Sequence, residues 1–492
     1  MRGRAFFLDF GLFLSYHPPS RRPGERRWRS PEPGAEAERR RLRLLDNDRM
    51  IKTAKMEVRP FKAFRFNAEV VGDTGRCIAP PYDVISDEDR ERLYGASQYN
   101  VVRITRGKTA PSDNGQHNQY TRAAVFLNEW IEQGALKADE KDTIYAYVQD
   151  FQINGEAFQR LSFIALGKLE DFGKTVKPHE QVFEKPMLDR LNLKRATGAR
   201  FGLVFMLYED PQQIADAILR KATAQEPLVD FTDVQDVRHR LFAVAGEGDI
   251  NAIVAMMRDK SCIIADGHHR YTTGLTYARE NGRPAASYQM LAFTNTRQKG
   301  LVVLATHRVV GGIDGFAGEA FLARLQDTFE IVEIKFAAPG AEKEQAKQKM
   351  LAEMKARHDR DENAFGVYMG DGAFHVIVLK NAGLMADAAP EKSPAWRGLD
   401  VSVLQKLVLE AVLHLDEEKM GDPNFVGYVK DTPNAVDALI AQIDAGKRQI
   451  AFFTNPVKME QLVEVTEAGE RMPHKSTYFY PKMYTGLTIQ RI

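Results

Sequence analysis

The chain has 492 residues, 44% apolar and 27% charged, a length that suits two or three domains and excludes a small disulfide scaffold or a mostly disordered protein. Its 68 Lys and Arg offset 67 Asp and Glu, but unevenly: residues 1–55 hold 14 basic and 7 acidic side chains, leaving 54 basic against 60 acidic in 56–492. An acidic body lacks the basic footprint that a duplex binder exchanges for counterions, which argues against DNA as a partner.

Cys77 and Cys262 are the two cysteines. They are read as buried or free thiols of a reducing, cytoplasmic setting, and they exclude a zinc site built from cysteines. Ala5–Leu14 follows two arginines, but Asp9 interrupts it and no small-residue cleavage site follows. No apolar run reaches the roughly 18 residues of a membrane helix, so no membrane partner is expected.

In chain order, residues 1–55 form a Pro/Arg/Glu tract with too few apolar residues to offset the entropy of ordering it. They read as a disordered basic tail lying upstream of a natural start near Met56. Ser86 followed by Asp87, Glu88 and Asp89 predicts an N-capped helix over 87–94. Val125 and Trp130 at helical spacing predict a helix over 121–133 that stops at Gly134. Asn154–Gly155 between the apolar runs 143–152 and 160–169 predicts a hairpin. Helices are expected near 212–223, 249–258, 318–328, 341–357, 400–415 and 434–444, alternating with strands. The fold class is therefore α/β, mixed α+β and multi-domain. Polar stretches at 224–236, 337–349 and 382–395 mark the candidate boundaries. They divide the body into an N-terminal α/β domain at 56–235, a central unit at 236–336 and a C-terminal α/β region at 337–492.

The sharpest chemical signal is SCIIADGHHRYTTGLTYARENG, residues 261–282. Cys262–Ala265 predicts a short buried strand, Asp266–Gly267 a turn, and 268–281 a helix stopped by Gly282. A helix N-terminus beside Gly267, His268, His269 and Arg270 offers free N–H groups, partial positive charge and charge-assisted donors to a phosphate. Neighbouring histidines project about 100° apart on a helix, so the pair is not read as a metal site.

Three further segments carry candidate residues. In IAPPYDVIS (78–86) the prolines hold the chain extended and present Tyr82 and Asp83. His179 and Glu180, in a polar loop-like interval before Asp189–Arg190, pair a general base with an orienting carboxylate. In RMPHKSTYFYPK, Lys475, Ser476, Thr477 and Lys482 are phosphate-binding residue types. A strand there would put Ser476, Tyr478 and Tyr480 on one face and Lys475, Thr477 and Phe479 on the other. His307, His375 and His414 sit in or beside apolar runs and are expected to be packed structural residues. Dinucleotide, α/β-hydrolase and zincin motifs are missing.

The segment IIADGHHRYTTGL, preceded by the helix-like 248–260, resembles the ParB/sulfiredoxin superfamily, whose Asp-Gly-x-His-Arg turn binds nucleotide phosphates and which includes partition CTPases, sulfiredoxins and free-serine kinases. A second resemblance covers nearly all of 56–492. The ordered motifs RPFKAFRF (59–66), IAPPYDVIS, YNVVRI (99–104), HEQVFEKPMLDRLNL (179–193), ADGHHRY and RMPHKSTYFYPKMYTGL (471–487) are similar to a widespread prokaryotic family of unknown function. Val182 stands where that family's pattern has Thr, and Met187 where it has Lys.

The first resemblance implies a nucleotide-dependent phosphotransferase acting on a small hydroxylated metabolite, with a free-serine kinase as its most specific form. ATP or ADP, with CTP as an alternative, and Mg²⁺ would be its cofactors. Gly267, His268, His269, Arg270, Lys475, Ser476, Thr477 and Lys482 would hold phosphate, while Asp266, His269, Asp83, His179 and Glu180 are the catalytic candidates. The residues leave open which carboxylate or histidine takes the hydroxyl proton. A phosphate-ester hydrolase and a non-enzymatic nucleotide-binding regulator are the alternatives.

Overall fold

The computed structural model describes residues 55–492; the tail reading, Lys55 aside, falls outside the described residues. The predicted hairpin forms from Tyr145–Ile153 and Glu156–Lys168, paired antiparallel with Ile153 opposite Glu156. Asn154 and Gly155 both have positive φ, 50° and 81°, the two-residue turn whose twist matches the flanking strands. Along the first strand Tyr145 and Tyr147 enter one core while Ala146 and Val148 enter another. The hairpin is thus buried on both faces, which is why it reads as a nearly continuous apolar run.

This hairpin sits near the middle of a mixed nine-stranded sheet. Its order is Val176–Lys177, Cys262–Asp266, Val204–Tyr208, Tyr288–Asn295, Glu156–Lys168, Tyr145–Ile153, Arg238–Ala243, Val229–Thr232, with Val58–Arg59 pairing at one end of Glu156–Lys168. A second sheet of six antiparallel strands runs Phe329–Lys335, Ala373–Leu379, Ala364–Tyr368, Ile450–Phe453, Thr306–Val310, Val426–Lys430. Phe205 and Tyr147 of the first sheet belong to the same core cluster as Phe365, Val367 and Phe452 of the second. The fold is mixed α/β. Position 235/236 falls between two paired strands of the first sheet, and 336/337 falls between strands of the second. The polar stretch 224–236 contains an edge strand, and 337–349 opens the helix Ala341–His358.

The helices form where their signals stand. Ser86 and Asp89 make a reciprocal capping box at the start of Asp87–Ala96. Gln119–Glu132 buries Ala123, Leu127 and Trp130, whereas Val125 is 52% exposed, so Trp130 belongs to the apolar stripe and Val125 does not. His307 and His375 are buried as expected, but His414 is exposed. Asp189 and Arg190 lie inside the helix Glu184–Thr197 and not in a loop. Among the described residues no helix is long and apolar enough to cross a membrane.

The C-terminal segment ties distant parts together. Tyr478–Tyr480 pairs with Val302–Leu304, Thr485 bridges Ala79 in both directions, and Gln490–Arg491 pairs with Ala199–Arg200. The strand begins only at Tyr478, because Lys475 adopts φ 57° and turns the chain before it. The expected alternation from Lys475 to Phe479 is therefore replaced by a turn followed by a three-residue strand.

Candidate active site around the central turn

Cys262–Asp266 is β-branched at Ile263 and Ile264, runs antiparallel to Val204–Tyr208 and is buried on both faces. Its register slips between Ile264 and Asp266, where the partner advances only from Met206 to Phe205. Such a bulge re-aims the side chain that follows it; here that side chain is Asp266. Gly267 comes next at φ 94° and is the N-cap of His268–Asn281, with no side chain capping the helix. A Cβ at 267 would lie 3.0 Å from Arg270 Nε, so both the backbone angle and the space call for glycine. Gly282, at φ 69°, closes the helix.

Asp266 is the centre of an ion network. Lys482 Nζ donates to its Oδ1 at 2.5 Å, and Arg270 donates to its Oδ2 and to the Leu203 carbonyl. Burial pushes the Asp266 carboxyl up, but Lys482 and Arg270 outweigh it and hold the group well below the usual carboxylate range. With both oxygens occupied, Asp266 is a fixed charge. Lys482 is positioned in turn by the large sheet: wholly buried Arg160 donates to the carbonyls of Tyr480, at 3.1 Å, and Pro481, and Gln149 donates to the carbonyl of Lys482.

The histidines are distinguished by their partners. His179 Nδ1 lies 2.6 Å from the Ile264 carbonyl; a carbonyl only accepts, so Nδ1 carries the proton and the bare Nε2 accepts from the Thr477 hydroxyl at 2.8 Å. Burial lowers the His179 pKa to about 4 and keeps it neutral. The His179 backbone N–H donates to His268 Nε2 at 3.2 Å, which leaves the His268 proton on Nδ1, 3.6 Å from Glu180 Oε2. His268 is buried, and burial followed by His179 drives its pKa well down. His269 Nε2 accepts from the Phe183 N–H at 3.0 Å, and its ring stacks on Phe183.

Of the carboxylates, Glu180 is half-buried, and burial and then the Asp266 charge raise its pKa. Asp83 is exposed on the short Tyr82–Val84 turn and among the described residues makes no ion pair. It lies close enough to His269, Lys430 and Tyr478 for its charge to bias their titration. Tyr82 is covered by the Arg190 guanidinium, 4.0 Å from its ring centroid, and burial and then Asp83 push its phenol up to about 12.

Further cations gather beside the turn. Lys482 and Lys430 lie 4.4 and 4.3 Å from the Tyr478 ring centroid. Burial, then Lys482 and Lys475, lowers the Lys430 pKa. Lys475 is exposed and, like Lys430, forms no ion pair among the described residues. The Ser476 hydroxyl is buried and donates to the Pro473 carbonyl at 2.5 Å, so Ser476 holds the turn and is not a free phosphate donor. Lys430 and Tyr478 were absent from the residues assigned from sequence. Tyr478 lies inside the C-terminal motif, whereas Lys430 reaches the site only through the pairing of Val426–Lys430 with Thr306–Val310.

Among the described residues no group of three or more His, Cys, Asp or Glu is placed to hold a metal ion unaided. Mg²⁺ commonly takes one or two carboxylates plus substrate phosphates, and the unpaired Asp83 fits that requirement.

These features define a mixed α/β protein with a cluster of cations around a strand-turn-helix. The chain belongs to the family described as "Protein of unknown function (DUF1015)", whose pattern matches residues 58–402. Arg471–Leu487, with Lys475 and Lys482, lies beyond the matched stretch. No curated protein matches the sequence. Among solved structures, a free serine kinase variant in complex with ADP is similar over 65% of this chain and 88% of its own, at 12% identity and TM-score 0.32. A free serine kinase variant in complex with AMP is similar over 72% and 92%, at 12% identity and TM-score 0.33. A conserved hypothetical protein from Pyrococcus furiosus is similar over 65% and 91%, at 14% identity and TM-score 0.30.

Proposed function

We propose that the protein is a nucleotide-dependent phosphotransferase acting on a small hydroxylated metabolite. The observation that carries this reading is the uncapped helix N-terminus at Gly267, set beside Lys482 and grouped with Lys430, Lys475 and the raised carboxyl of Glu180. Free backbone N–H groups and lysines suit phosphate oxygens. A carboxyl tuned upward suits a general base near neutral pH.

In this reading ATP or ADP places its terminal phosphates against the N–H groups of His268 and His269. Lys482, with two N–H groups left after Asp266, and Lys430 and Lys475 spread the developing charge. The acceptor hydroxyl oxygen bonds to the terminal phosphorus as the bridging P–O bond breaks, and the hydroxyl proton passes to Glu180. Mg²⁺ bound with the nucleotide would supply further charge neutralisation, with Asp83 as the residue to hold it. Arg270 acts through Asp266, and His179 through the Thr477 hydroxyl that it orients. Free serine, the acceptor implied by the ParB/sulfiredoxin resemblance, is the first to try.

The test is phosphorus NMR of the purified protein with ATP, ADP or CTP, Mg²⁺ and a pool of amino acids and sugars. A new phosphomonoester resonance that needs the acceptor is expected. Inorganic phosphate formed without an acceptor would replace the reading with a hydrolase. Nucleotide binding with no product would favour a regulator, and no binding of any nucleotide would end the assignment.

A further inference from the structure

Arg270 also lines a cavity of about 60 Å³. At ~10–15 Å³ for each enclosed water it has room for a group of a few heavy atoms. Its walls include Tyr82, Lys194, Arg200, Phe201, Thr273 and Thr485. Lys194 comes from the helix Glu184–Thr197 and Arg200 from the short strand after it, and the two side chains converge on one neutral oxygen. Gln289 Oε1 accepts from Lys194 Nζ at 3.2 Å and from Arg200 Nε at 3.1 Å.

The charge count is what sets this cavity apart. Lys194 is 7% exposed and Arg200 3%, yet among the described residues neither forms an ion pair. Three more Arg200 N–H groups go to Gln490 Oε1 at 2.6 Å and to the carbonyls of Ala285 and Ala286, all of them neutral, which leaves one of its five N–H groups for a ligand. Among the described residues Lys194 Nζ has no hydrogen-bond partner beyond Gln289, which leaves two of its N–H groups free. Arg190 and Arg270 also line the cavity, but Arg190 pairs with Asp189 and Arg270 shares Asp266 with Lys482, so neither acid is left to balance Lys194 or Arg200. Buried charge without a counter-charge is costly, and this cavity concentrates two such cations against an opening lined by threonines.

We propose that the cavity binds a small oxyanion, the carboxylate or phosphate group of a metabolite, between Lys194 and Arg200, with Thr273 and Thr485 within the same lining and Phe201 against its apolar part. The proposal does not depend on the phosphotransfer reading.

The experiment titrates the full chain with inorganic phosphate, acetate and butyrate at constant ionic strength, following calorimetric binding and melting temperature, with butanol as the neutral control. The anion arms separate phosphate from carboxylate. Saturable binding and a raised melting temperature are expected for one anion class and not for butanol. Lys194→Met should weaken it by about tenfold or more, the scale of one charge-assisted hydrogen bond, while ADP affinity stays unchanged. If Lys194→Met does not fold, selenate located in wild-type crystals by anomalous scattering decides the point, and density at Lys194 and Arg200 is expected. Absence of binding by all three anions, equal affinity in folded Lys194→Met, or selenate bound only elsewhere would each overturn the proposal. Loss of ADP binding with anion binding intact would remove the kinase reading alone.

Discussion

Two clusters of buried cations, one around Asp266 and one around Gln289, meet burial in opposite ways. At Asp266 two cations, Lys482 and Arg270, share one carboxylate; at Gln289 two cations, Lys194 and Arg200, share one amide oxygen. The first arrangement keeps its charges, because the mutual attraction offsets desolvation and leaves Asp266 firmly ionised. In the second only neutral acceptors stand against desolvation, so burial and then Arg200 drive the Lys194 pKa well down, and burial lowers Arg200 to about 9. A paired cluster is a permanent scaffold for the turn beside it. An unpaired one lacks the counter-charge that a bound anion would supply.

The most damaging single change should be Asp266→Asn. It leaves Lys482 and Arg270 buried without their counter-charge, and breaking a buried pair in this way costs about 3–5 kcal/mol. Urea denaturation is the measurement. A loss below about 1 kcal/mol would mean that the network behaves like a surface ion pair and that the contrast with Lys194 is false. The sign with pH follows from the direction of the shift. A carboxyl depressed on folding contributes stability above its unfolded pKa and loses it as pH falls towards its folded one. Wild type should therefore converge on Asp266→Asn in acid.

Glu180→Gln comes next and acts on rate. General-base removal typically costs about 10²–10⁴-fold, so turnover should collapse while ADP binding persists. In wild type, kcat/KM should fall as pH drops through the Glu180 pKa, above the ordinary glutamate range because of burial and the nearby Asp266 charge. Full turnover in Glu180→Gln would pass the role of base to Asp83 or to Thr477 with His179.

What could be read from the sequence is divided along the same line as the two clusters. The strand-turn-helix of 262–282 was legible almost to the residue, because each of its signals is local: isoleucines for the strand, Gly267 for the turn, Gly282 for the stop. The candidates Asp266, His179, Glu180 and Lys482 do meet there. Lys430 was not legible, since an antiparallel pairing between strands more than a hundred residues apart delivers it. Nor were Lys194 and Arg200, which look like ordinary surface cations until the helix His268–Asn281 and the C-terminal strand cover them. The strand Val229–Thr232 inside the 224–236 stretch was not legible, because an edge strand with one face in solvent has the composition of a linker. The Lys475 turn was hidden because a lysine with positive φ carries no glycine to mark it.

Lys194→Met sharpens the comparison through its sign. Removing Lys482 breaks a pair and should destabilise, whereas removing Lys194 takes away a buried amine with no acid to lose. With its folded pKa depressed, Lys194 contributes fully only above its unfolded pKa of about 10.4, and that contribution disappears as pH falls through the folded value. Compared with Lys194→Met, wild type should therefore gain stability as pH rises from neutral towards 10. A flat difference across that range would mean that Lys194 keeps its proton with only Gln289 as a partner.

The smallest effect is expected at Lys475. Its side chain is exposed and unpaired, so Lys475→Ala removes no packing and no buried charge, and surface changes of this kind stay within about 0.5 kcal/mol of wild-type stability. Any effect on ligand must come from the field that Lys475 adds around the turn. That field registers already on Glu180 and His269, where the Lys475 charge works against a positive His269 and favours an ionised Glu180. Solvent screens an exposed lysine, so ADP affinity should fall only a few-fold, and added salt should erase the difference, since about 1 M salt shortens the screening length to about 3 Å. Calorimetric titration of ADP at low and high salt makes the measurement. A salt-independent loss, or a drop in melting temperature without loss of affinity, would assign Lys475 to the left-handed turn that it occupies and remove it from the phosphate site.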